Sequence, residues 1–143
     1  MFSPSQQDVR RFFCEVWRRQ RDGLALDPMQ AKAAGWVLLH PEYGPLLNDE
    51  AKALEASYSV EAGQANPFLH LSMHLSLAEQ VDIDQPRGIR QAFEALRRRH
   101  DGAHEAHHRM MECLGRMIWE SQRSGRAPDG LAYLECVQRL SLG

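Results

Sequence analysis

Apolar residues recur along this chain at helical intervals. Val9, Phe12, Phe13, Val16 and Trp17 fall on one side of a repeating turn, and Arg10, Arg11, Glu15, Arg18 and Arg19 fall on the other. That pattern predicts an amphipathic helix from about Gln6 to Gln20. Ser5 and Asp8 form a capping pair at its start, and Gly23 stops it. Asp27-Pro28 then reads as a cap followed by proline in the first turn, with Gln30 at the third position. This second helix should run to Leu39 or His40, where Pro41 ends it. Asn48 is expected to cap a short helix through Glu55. Asn66-Pro67 opens a helix to about Val81, and Asp84 or Gln85-Pro86 opens another to Arg99. Asp101 caps a long helix to about Arg123, halted by Gly125, and Pro128-Asp129 precedes a last one through Leu140.

No strand competes with this reading. Period-two alternation is absent, Val and Ile are sparse, and Thr does not occur. The connections are short and carry Gly, Pro, Asn or Asp, which suits antiparallel helices. The expected fold is all-α: a single-domain helical bundle over residues 1–143, with about four long helices and short decorating ones.

Two histidine pairs lie on faces expected to be buried. At about 100° per residue, Met73, His74, Leu77 and Val81 stay near the line of His70, with Ser72, Ser76, Glu79 and Gln80 opposite. From His104, residues His108, Met111, Gly115, Ile118, Trp119 and Gln122 share a face, while Arg109, Cys113, Arg116 and Glu120 point away. Glu112 continues the ridge His104, His108, and His107 sits near the opposite edge of the stripe. Side chains four apart on a helix can share one metal ion. If two such helices face each other, His70, His74, His104 and His108 become ligands, with Glu112 as a fifth donor or as an orienting group. A metal also solves a physical problem, because each buried imidazole left unsatisfied costs about 1 to 3 kcal/mol. The competing reading is a buried His/Glu hydrogen-bond network without metal. Inward carboxylates are too few for a bridged metal pair, so one transition metal ion is expected. Imidazole does not identify that ion; zinc and iron are the leading candidates.

Composition bounds the function classes. The chain has 143 residues, 43 % of them hydrophobic and 25 % charged, as in an ordinary globular domain. A formal net charge of −2 gives no reason to expect nucleic acid or an anionic membrane as partner. No apolar run approaches a membrane span, and Met1-Phe2-Ser3-Pro4-Ser5 does not read as a secretory signal. Cys14, Cys113 and Cys136 are odd in number and scattered, which predicts reduced thiols and a cytoplasmic location.

Other features read as structure. His40 in a last turn is explained by the helix dipole, with a ligand role as the alternative. His100 after Arg97-Arg98-Arg99 belongs to a solvated face, and Phe12, Phe13 and Trp17 belong to the core. Cys113 has no adjacent base, so it is not expected to be a nucleophile. No Gly-rich phosphate loop and no complete nucleophile, base and oxyanion set occur, so whether the chain is an enzyme stays open.

Several strings resemble a bacterial family known only as a domain of unknown function, number 1841. They are Asn66-Pro67-Phe68-Leu69-His70-Leu71-Ser72-Met73-His74-Leu75-Ser76, Asp84-Gln85-Pro86-Arg87-Gly88-Ile89 and Met111-Glu112-Cys113-Leu114-Gly115. Val9-Arg10-Arg11-Phe12-Phe13 and His40-Pro41-Glu42-Tyr43 look like that family too. The resemblance implies a stand-alone cytoplasmic protein and brings no activity, substrate or cofactor with it. A looser likeness is to haemerythrin-type and DinB-type bundles, which hold metals with histidines from neighbouring helices. The carboxylates of a haemerythrin are mostly missing here, which argues against an oxygen-bridged iron pair. Two functions follow from the residues: a metal-binding helical bundle, or a non-enzymatic module that presents a surface to a protein partner. Oligomeric state is not legible.

Overall fold

A computed structural model describes residues 5–58, 65–100 and 102–142. Among them every regular element is helical: α1 (Gln6–Arg21), α2 (Pro28–Leu38), a 3-10 turn (Pro41–Tyr43), α3 (Gly44–Leu47), α4 (Glu50–Glu55), α5 (Pro67–Ile83), α6 (Ile89–Arg99), α7 (Ala103–Ser124) and α8 (Gly130–Leu142). The chain is all-α. None of these helices is long and apolar enough to cross a membrane. Two compact units can be drawn, residues 1–75 and 76–143, with the division falling inside α5.

In the first unit, α1 packs on α2, α3 and α4. Ser5 and Asp8 close a full capping box on α1, and Asp27 and Gln30 do the same on α2. Phe13, Val16, Ala33, Val37, Leu47, Phe68 and Leu71 form the core, and Trp17 and Tyr43 pack against it. Arg10 does not join the solvated face of α1. It is buried, and its guanidinium donates to the carbonyls of Ala53 and Ala56 at 2.8 and 2.6 Å. Those carbonyls end α4, so a cation satisfies acceptors the helix cannot satisfy itself. Asn48 is not the cap of α4; Asp49 is, accepting from the Lys52 amide, while Asn48 closes α3.

In the second unit α6, α7 and α8 pack on one another. α6 begins at Ile89, later than the sequence suggests. Asp84 stands at a positive φ of 54°, the Gln85–Pro86 bond is cis, and Gly88 is left-handed. The Asp84 carboxylate accepts from the Gly88 and Arg90 amides at 3.1 and 3.0 Å, so it caps α6 across this bend. Asp101, expected to cap α7, lies outside the described residues; Gly102 precedes that helix. α7 ends at left-handed Gly125, and Asp129 caps α8 through the Ala132 amide.

The buried stripe of α7 is Ala106, His107, Met110, Cys113 and Leu114. The expected stripe was centred on His104, and the observed one is rotated away from it. Ile118 and Trp119, expected inside, are 40 % and 57 % exposed. The four-residue step Ala106, Met110, Leu114, completed by Cys113, outweighs a stripe that depends on histidine and glycine. The thiol expectation is also corrected for two of the three cysteines. Cys113 and Cys136 form a disulfide between α7 and α8 with Cα atoms 5.8 Å apart, and Cys14 is the buried free thiol. Packing α7 against α8 brings together residues that are 23 apart in sequence, which spacing alone did not reveal.

Candidate metal centre

α5 places His70 and His74 one turn apart, and the end of α2 brings in a third imidazole. His40 precedes Pro41, which keeps it out of helical conformation (φ −127°, ψ 62°). Its ring is buried, 4 % exposed, and its Nδ1 lies 2.8 Å from the Trp36 carbonyl. A carbonyl can only accept, so Nδ1 carries the hydrogen and Nε2 is the acceptor nitrogen. His40 Nε2 lies 3.1 Å from His70 Nε2, and His74 Nε2 lies 3.2 Å from the same atom.

Aromatic rings fix these orientations. His74 is fully buried and stacks on Trp36, centroids 4.4 Å apart and planes 12° from parallel. His40 stacks on Tyr43 at 5.2 Å and 5°. His70 stands nearly perpendicular to both His40 and His74, so its edge meets them. Burial raises the Tyr43 phenol, which therefore stays protonated at ordinary pH.

On α7, His104 and His108 stand one turn apart with ring centroids 4.4 Å from each other. His108 Nδ1 approaches a Glu105 carboxylate oxygen at 3.9 Å, and Arg109 pairs with Glu105 at 3.2 Å. His107, buried, meets Phe93 edge to face at 5.6 Å. Desolvation, with the neighbouring His104 and His108 adding to it, pushes the His107 pKa down to about 3, so this ring stays neutral.

Within the first unit His40, His70 and His74 form a histidine cluster that could hold a metal ion, and His104 and His108 form a separate pair in the second. His70, His74, His104 and His108 were candidates from the sequence. His40 joins them: the sequence gives it a ligand role only as the alternative to the helix dipole, because no other histidine stands four residues from it. The signal that could have found it is its place before Pro41, where the backbone leaves the helix and the ring turns back. Glu112, the fifth donor expected from the sequence, is exposed on α7.

The fold and this cluster define an all-helical protein with a histidine-rich centre. The chain matches the family described as domain of unknown function DUF1841 over residues 5–139, and it belongs to that family. Neither the curated proteins nor the solved structures provide a match.

Proposed function

We propose that this protein binds one transition metal ion through His40, His70 and His74 of the first unit. The observation that carries the reading is the position of His70 Nε2. It meets two other Nε2 atoms, at 3.1 and 3.2 Å. An imidazole nitrogen has a single in-plane site, which holds either one hydrogen or one lone pair. It cannot donate to one neighbour while accepting from the other, so a hydrogen-bond chain serves these three nitrogens poorly. A metal serves them together. Nitrogens ~2.0–2.1 Å from a tetrahedral ion lie about 3.3 Å from each other, close to the separations here.

The surroundings support the same reading. Metal-bound histidines ordinarily donate their second nitrogen to a carbonyl or carboxylate, as His40 does to Trp36. An all-imidazole set suits zinc, iron, nickel or copper and not magnesium or calcium. A bound ion with an open position would act as a Lewis acid on a water or a substrate oxygen. Residues on this chain would orient the ligand rings: Trp36 against His74, and Tyr43 against His40.

The test is calorimetric titration of zinc, and of ferrous iron without air, into protein stripped with chelator. Saturable binding that is lost in His70→Ala, with helicity retained, is expected. Absence of binding by the folded wild type would overturn the reading. The metal-free alternative predicts that absence, with His70→Ala affecting stability alone.

A further inference from the structure

The second unit carries chemistry that this function does not use. A cleft of about 650 Å³ opens between α7 and α8, and both cysteines of the Cys113–Cys136 disulfide are among its lining residues. The two cysteines differ in access. Cys113 is 2 % exposed, whereas Cys136 is partly open to solvent. The cleft is also basic: Arg116, Arg123, Arg126 and Arg139 line it against the carboxylates of Glu120 and Asp129. Both acids are engaged, Glu120 with Arg123 at 2.8 Å and Asp129 with the Ala132 amide at 3.0 Å. The sequence repeats one device on the two helices. Cys113-Leu114-Gly115-Arg116 and Cys136-Val137-Gln138-Arg139 each set an arginine one turn beyond a sulfur.

We propose that the Cys113–Cys136 disulfide is a thiol-exchange site for a small thiol that carries carboxylates. The incoming thiol loses its proton to water, and its thiolate attacks Sγ of Cys136, the more exposed of the two cysteines. A bond forms between the two, the Sγ–Sγ bond breaks, and the electron pair leaves on Cys113 Sγ, which takes a proton from solvent. A second thiol then attacks its own kind in the mixed disulfide and releases Cys136. Two thiols are oxidised to one disulfide, and the protein gains two electrons and two protons. Arg116 and Arg139 hold the carboxylates and raise the local concentration of the anion. A disulfide that served only as a brace would need neither the cleft nor the arginines.

Three measurements test this. Thiol titration of denatured protein, purified without reductant, should find one thiol, Cys14; finding three would overturn the proposal. Reduction of the disulfide is then timed with glutathione (anionic), mercaptoethanol (neutral) and cysteamine (cationic) at matched thiolate concentrations. In R116Q/R139Q, whose changes are on the exposed surface, the glutathione rate should fall about tenfold while the mercaptoethanol rate holds. Equal slowing with all three thiols, or no slowing, would overturn the anionic preference. Finally, glutathione disulfide should load Cys113→Ser at Cys136, seen by mass, far faster than Cys136→Ser at Cys113. The reverse order would overturn the assignment of the attacked sulfur. None of these readouts depends on a bound metal.

Discussion

The imidazole of His74 lies flat against the indole of Trp36, centroids 4.4 Å apart, in the interior of the first unit. Through its backbone carbonyl the same Trp36 holds His40 Nδ1 at 2.8 Å. One residue of α2 thus orients two of the three rings that meet at His70. The ring contact can be removed without touching the carbonyl. In Trp36→Ala the His40 tautomer should persist while His74 loses its stacking partner. Metal affinity should fall about 10- to 100-fold, the usual cost of losing an orienting group, and Trp36→Phe should fall between. Titration calorimetry of the three proteins checks the order; equal affinities would remove Trp36 from the site.

Two glycines of the first unit should respond in opposite directions to the same change. A Cβ on Gly44 would stand 2.9 Å from the Trp17 ring, which is held in place by its indole hydrogen bond to Asn48. Gly44→Ala should destabilise by about 1 to 3 kcal/mol, as overpacking does. Gly35, inside α2, has nothing within 4 Å of such a Cβ. Gly35→Ala should stabilise by up to about 1 kcal/mol by stiffening the unfolded chain. Urea melts of the two variants measure both signs.

Acid should act on the bend between α5 and α6. The Arg90 and Gly88 amides that donate to Asp84 hold its carboxyl below the usual carboxylate range. A group depressed in the folded state contributes stability that is complete above its unfolded pKa and is lost as pH falls through its folded one. Asp84→Asn keeps an acceptor and tolerates the left-handed backbone. The variant should therefore be less stable than wild type near neutral pH, and the gap should close below the ordinary carboxylate range. Melting temperatures across that range give the result; a gap independent of pH would mean the charge contributes nothing.

How much of this was legible in the sequence can be judged from particular residues. The capping boxes at Ser5–Asp8 and Asp27–Gln30 were readable because their partners lie three residues apart. The pairs His70–His74 and His104–His108 were readable for the same local reason, the four-residue step. Features set by packing were not. Arg10 reads as solvated until Ala53 and Ala56, more than forty residues away, present their carbonyls to it. Cys113 reads as idle until α8 brings up Cys136. His40 reads as a dipole cap until the turn at Pro41 aims it at His70. On α7 the four-residue step of His104 and His108 points to one face, while Met110 and Leu114 bury another against neighbours the sequence does not reveal.

The most direct measurement is elemental analysis of untagged protein purified without chelator or added metal, beside His70→Ala. The account predicts a transition metal near one per chain in the wild type and a trace in the variant, both remaining helical. It also predicts that chelator lowers the melting temperature of the wild type alone, because a ligand that binds only the folded state stabilises it. A wild type that carries no transition metal, takes none up when offered zinc or iron, and melts identically with and without chelator would contradict the claim.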